Sequence, residues 1–185
     1  MRLAGGGPEQ RVALPSQVVL ASLGTLPPRV LGEVAQGLRQ VLGLSWRPAP
    51  PLDRPAYAFN ESRGQYHAPA ILRRLAALRN GAVPRPPVLA LLDGDLFLPD
   101  DGEFVLGDAD RAAGTAVLAL ARLAGDPAAL RHRTLVESLH LLGHLLGLPG
   151  CLDYRCAMFA AKDATDADRK SQGLCAGCRA ALGAP

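Results

Sequence analysis

HLLGHLLGLPGC, residues 140–151, sets two histidines four apart, a glycine three residues further on and a cysteine at its close. On an α-helix, residues i and i+4 share a face, so the two imidazoles can point at one ion. A leucine-rich helix can also carry two half-buried histidines that bind no metal. The residues around the stretch decide between these readings.

The closing cysteine is the first of four. Cys151 and Cys156 are separated by four residues, Cys175 and Cys178 by two, and all fall in the last 35 residues. Zinc favours four tetrahedral sulfur or nitrogen ligands, and two closely spaced pairs let two turns grip one ion. A tail with little apolar material is where a structural metal stabilises most. The plainer reading is four free thiols, the last two in a helix. CAGC (175–178) fits a redox motif poorly, because no strand leads into it.

Upstream, the hydrophobic pattern alternates between strand and helix. QVVLASLG (17–24) is a continuous apolar run suited to a buried strand. After Pro27 and Pro28, residues Val30, Leu31, Val34, Leu38, Val41 and Leu42 recur at helical spacing. LSWRP (44–48) reads as a short strand and residues 48–59 as a Pro-rich loop. Ile71, Leu72, Leu75 and Leu78 form one helical face from Pro69 onward. PVLALLD (87–93), EFVLGDA (103–109) and GTAVLALARL (114–123) read as strands, with LPDDG (98–102) as a turn. A helix over 127–146 has Asp126 at its N-cap and Pro127 in its first turn. The order β-α-β-α-β-β-β-α predicts a mixed α/β (α+β) layer with a compact C-terminal appendix.

Composition limits the function classes. The chain has 185 residues, 49% hydrophobic and 4% aromatic, enough for one core built mainly from Leu, Val and Ala. A net charge of +3 carried by scattered arginines, without aromatic platforms, argues against a nucleic-acid partner. No run is long and apolar enough for a membrane span. Residues 1–16 lack a signal-peptide core and read as a flexible lead-in, which gives a cytoplasmic expectation. In such a compartment cysteines are more often metal ligands or free thiols than disulfides.

With both motifs in view, the chain resembles the archaemetzincins, a metzincin family of zinc-dependent metallopeptidases. Their helix reads H-E-x-x-H-x-x-G-x-x-H-C, followed by a second cysteine, a Met-turn and a later C-x-x-C. Here the order is His140, Leu141, His144, Gly147, Gly150, Cys151, Cys156, Met158, Cys175 and Cys178. ESRGQYHAPAIL (61–72) and DLFLPDDGEFVLGDAD (95–110) resemble the family's upstream segments, and the likeness spans roughly residues 17–182. It implies a metzincin-like fold with a mixed twisted sheet, packed helices, an active-site helix over 127–147 and a small zinc-bound C-terminal subdomain. It further implies a lead-in of 1–16, an N-terminal subdomain of 17–150 and a four-cysteine subdomain of 151–185.

The same resemblance assigns Cys151, Cys156, Cys175 and Cys178 to a structural zinc, His140 and His144 to a catalytic zinc, and Met158 to the Met-turn. Gly147 would end the helix in a left-handed conformation. Leu141 stands in place of the glutamate that works on the zinc-bound water, and Gly150 in place of the third histidine. Neither can perform that chemistry, so no catalytic base remains in the family pattern and a second catalytic zinc is doubtful.

Three residues invite replacement roles. Glu137 lies about 40° round the helix from Leu141 and roughly one turn earlier, completing an E-x-x-H-x-x-x-H face. Its bland alternative is an ion pair with Arg133. Asp153 or Tyr154 could stand in for the third ligand, although Asp153 also suits a turn. His132 is expected exposed, and His67 at a helix start. The leading expectation is a catalytically impaired archaemetzincin homologue, a pseudoenzyme, with a peptide or protein in its cleft, acting as a monomer. The alternatives are an active peptidase remodelled around Glu137 or Asp153, and a four-cysteine zinc module for protein interaction.

Overall fold

The protein is described by a computed structural model over residues 15–27, 29–79, 85–99 and 104–183. Most of the lead-in and part of the 98–102 turn lie outside these residues.

The core is set by three strands that are apolar on both faces. β1 (Gln17–Leu23) pairs in parallel with β2 (Ser45–Pro48) on one side and β5 (Val88–Leu92) on the other. β5 in turn pairs in parallel with β9 (Thr115–Ala119). Parallel strands need crossovers that cover the sheet, and this explains their unbroken hydrophobic runs. Alternation then divides the side chains. Val18, Leu20, Leu89, Leu91, Ala116 and Leu118 join the core beneath α1 (Val30–Leu42) and α3 (Pro127–Leu145). Val19, Ala21, Val88, Ala90, Leu92, Val117 and Ala119 face the cluster that contains α2 (Ala68–Leu75).

β8 (Gly107–Asp110) runs antiparallel to β9 and ends the sheet, whose order is β2-β1-β5-β9-β8. A second, small sheet consists of β3 (Phe59–Asn60), β4 (Gln65–His67), β6 (Leu96–Phe97) and β7 (Phe104–Val105).

The mixed α/β architecture is as expected, and several boundaries differ. The strand read over 103–109 is two strands in different sheets. The chain crosses between them at Leu106, whose side chain is buried in the α3 cluster. The run over 114–123 leaves the strand after Ala119 and closes as a 3-10 turn over Ala121–Leu123, since continuous apolar character does not fix backbone conformation. The helix read over 69–78 gives way after Leu75 to a 3-10 turn, Ala76–Arg79. Another short 3-10 turn, Ala56–Ala58, interrupts the Pro-rich loop.

α3 begins as its sequence dictates: Asp126 Oδ1 accepts from the amides of Ala128 and Ala129, each at 2.9 Å. It ends before Gly147, whose φ of +96° is the left-handed conformation expected there. Beyond it lie α4 (Ala164–Arg169) and α5 (Ala176–Leu182). Ala157, Met158, Leu174 and Leu182 from this region enter the same core cluster as α1 and α3.

Candidate metal centres and cleft

The structure gathers the four cysteines. Their sulfurs all lie within 4.8 Å of one another, and none is in a disulfide. Four thiolates about 2.3 Å from a central tetrahedral ion would stand about 3.8 Å apart. Cys151 and Cys175 Sγ are 3.8 Å apart. Backbone amides turn toward the sulfurs: Met158 and Cys175 donate to Cys156 Sγ at 3.4 and 3.3 Å, and Cys178 donates to Cys175 Sγ at 3.4 Å. The Cys178 amide is the main cause that lowers the Cys175 thiol to about 7, whereas burial pushes Cys178 up. This donor set fits one metal ion.

The histidines also converge. His140 and His144 Nε2 are 3.1 Å apart, with the rings edge-on. His140 Nδ1 is 3.2 Å from the Ala157 carbonyl and His144 Nδ1 is 3.0 Å from the Leu148 carbonyl. A carbonyl oxygen only accepts, so each Nδ1 donates and each Nε2 is left with a lone pair. Two lone pairs at this separation call for a shared cation. Burial, the nearby Lys170 ammonium and His144 push His140 down to about 3, so protonation does not supply that cation readily. The arrangement is that of two metal-ready ligands.

A cavity of about 570 Å³ opens on this pair, lined by β7 and β8, by Glu137, His140, Leu141 and His144 of α3, and by residues 160–162. β8 presents the outer edge of the main sheet to this space. Leu141 is 5% exposed and packs on β8, where a Cβ at Gly107 would come within 2.7 Å of its Cδ1. Gly150, by contrast, is exposed, and a Cβ added there would meet nothing within 4 Å.

Glu137 does line the cleft, but not as a free carboxylate. Its Oε1 accepts from Lys170 Nζ at 2.6 Å, and the two residues are 3% and 2% exposed. The expected Glu137–Arg133 pair is not formed. α4 lies against this stripe of α3, so Arg133 reaches Asp168 instead, at 2.7 and 2.8 Å. Asp153 shapes a turn, accepting from the Arg155 amide at 3.0 Å. Asp153 and Tyr154 are both exposed, and neither lines the cavity. His132 is half-buried rather than exposed, with Gln172 3.2 Å from its Nδ1. His67 caps the start of α2 and stacks on Phe97 at 5.4 Å, the packing role expected of it.

Three features of the site were not legible in the residues. Lys170 gave no signal, because lysine is normally a surface residue. The Leu148 and Ala157 carbonyls are backbone groups and leave no trace in residue type. Asp108 also lines the cleft, and burial pushes its carboxyl above the ordinary range.

Comparison with known proteins settles the ancestry of this arrangement. The sequence model of peptidase family M54 matches residues 51–183. The chain belongs to peptidase family M54. An archaemetzincin of Methanocaldococcus jannaschii is 30% identical over 169 residues, covering 88% of this chain and 90% of the relative. The crystal structure of archaemetzincin from Methanopyrus kandleri superposes with a TM-score of 0.77 at 30% identity, over 91% of this chain and 94% of that one. A zinc-dependent peptidase from Methanocorpusculum labreanum gives 0.79 at 26% identity, over 89% and 99%. The M54 fold is therefore that of the resemblance read from the motifs. No helix among the described residues is long and apolar enough to cross a membrane.

Proposed function

We propose that this M54 chain is a catalytically impaired member of its family, holding one structural zinc ion on Cys151, Cys156, Cys175 and Cys178 and keeping a peptide-binding cleft. The observation that carries the reading is the state of the two altered positions. Leu141 is an apolar side chain packed on Gly107 in the cleft wall, and Gly150 has no side chain to offer.

His140 and His144 would hold a divalent ion weakly, because catalytic zinc ordinarily has three protein ligands. When bound there, such an ion polarises a carbonyl and acidifies water. What the chain itself supplies is orientation: the Ala157 and Leu148 carbonyls aim the imidazoles, and the β8 edge offers backbone groups to an extended peptide or protein segment. The remaining carboxylate on this face of α3, Glu137, is engaged by Lys170 and would have to leave a buried ion pair to take up a proton. The chain is read as a cytoplasmic monomer that acts by binding.

Reconstruction tests this directly. Gly150→His enters open space, and Leu141→Glu restores the proton acceptor. The double variant should gain a second tightly held zinc and peptide cleavage, with the base alone contributing about 10²–10⁴ in rate. Cleavage by the unaltered protein at the rate of the double variant would refute the reading.

A further inference from the structure

The two metal centres share a backbone frame. His144 Nδ1 donates to the carbonyl of Leu148, three residues before Cys151, and His140 Nδ1 donates to the carbonyl of Ala157, the residue after Cys156. The two segments are tied together by the Cys151 amide on the Met158 carbonyl at 2.9 Å, and Cys151 bridges Phe159. Leu148 is fixed from its other side, its amide donating to the Gly143 carbonyl at 2.9 Å. The Ala157 amide donates to the Gly173 carbonyl at 2.9 Å, two residues before Cys175. Each carbonyl that orients an imidazole is thus held between a histidine and a cysteine of the other cluster.

The partner of the non-ligating nitrogen fixes the tautomer and direction of a metal-binding histidine, and losing it typically costs 10–100-fold in metal affinity. We propose that the four-cysteine centre is the positioning device of the histidine pair, acting through the Leu148 and Ala157 carbonyls. An ion on the cysteines holds both carbonyls in place. With the cysteines empty, the two turns relax and the imidazoles lose their convergence. Coupling between binding sites is reciprocal, so an ion on the histidines tightens the cysteines' grip by the same factor. The inference rests on the proposed reading that the cysteines hold zinc and that the pair retains a weak affinity.

The test titrates full-length protein with Co²⁺ in two states, zinc-loaded on the cysteines and stripped by a chelator. His144→Ala identifies the signal from the pair, and thiolate-to-metal absorption identifies any Co²⁺ on sulfur. Affinity at the pair should fall 10–100-fold on stripping, and imidazole ¹⁵N shifts should show loss of the Nδ1–H tautomers. Should the stripped chain unfold, the reciprocal arm uses only the zinc-loaded protein. Saturating the pair with Co²⁺ should raise the zinc affinity of the cysteines, measured against a competing chelator, by the same 10–100-fold, and His144→Ala should abolish the rise. Co²⁺ binding that is indifferent to the cysteine ion, with zinc affinity equally indifferent to Co²⁺, overturns the coupling alone. Absence of Co²⁺ at the pair in every state overturns the reading beneath it as well.

Discussion

The four cysteines and the two histidines occupy neighbouring parts of one core, yet only one set is complete. The cysteine cluster has four convergent sulfurs and amides aimed at them. The histidine pair has two oriented imidazoles and, around it, a buried leucine, a bare glycine and a carboxylate paired with lysine. Retention and loss therefore separate by task. The residues that hold the fold together remain as the family resemblance implies, while those that would move a proton or complete a catalytic ion are replaced. A glycine at position 150 costs the fold nothing, because the space beside it is open.

That contrast can be broken or sharpened by substitution, beginning where the largest effect is expected. Cys156→Ser removes a buried ligand and should release the tightly held zinc with a large drop in thermal stability. The loss should be a fraction of the about 10–16 kcal/mol that zinc supplies in small zinc-finger peptides, since the tail also packs on the main core. An unchanged melting curve would show that the cysteines carry no structural ion. On the histidine side, Lys170→Met strands a buried carboxylate and should cost about 3–5 kcal/mol in urea unfolding. Lys170→Met combined with Glu137→Leu should recover most of that cost. A single variant as stable as the parent would mean that the pair is not buried in solution.

Gly143→Ala probes the floor shared by both centres. Its new Cβ would lie 2.2 Å from Met158 Sδ, so overpacking should cost about 1–3 kcal/mol. Zinc content should stay constant, which separates a packing role of Met158 from a ligand role. The smallest effect is expected furthest from the metal centres. Asp126→Ala removes the cap of α3 and should cost about 1 kcal/mol in thermal unfolding, without change in metal binding.

Much of this could be read from residues because two kinds of signal were strong. The continuous runs of β1, β5 and β9 announce strands buried on both faces, and Asp126 with Pro127 marks the start of α3. Spacing alone brought the cysteines and histidines together. The signal faded where structure depends on backbone or on distant partners. β3, β6 and β7 have two residues each, too few for alternation to register. Leu106 looks like a mid-strand residue, although the chain changes sheets there. Glu137 and Arg133 are correctly spaced for a helical pair, but α4 brings Asp168 and Lys170 onto the same stripe and takes both partners. Local spacing states which pairs are possible, and tertiary packing selects among them.

The central claim is that one centre remains whole and the other has lost its catalytic hold. Metal analysis of the full-length protein, purified without added metal and assayed for peptide cleavage in the same preparation, tests it most directly. The account predicts a zinc-to-protein ratio near one and no cleavage. A ratio near two, with cleavage abolished by His144→Ala, would contradict it.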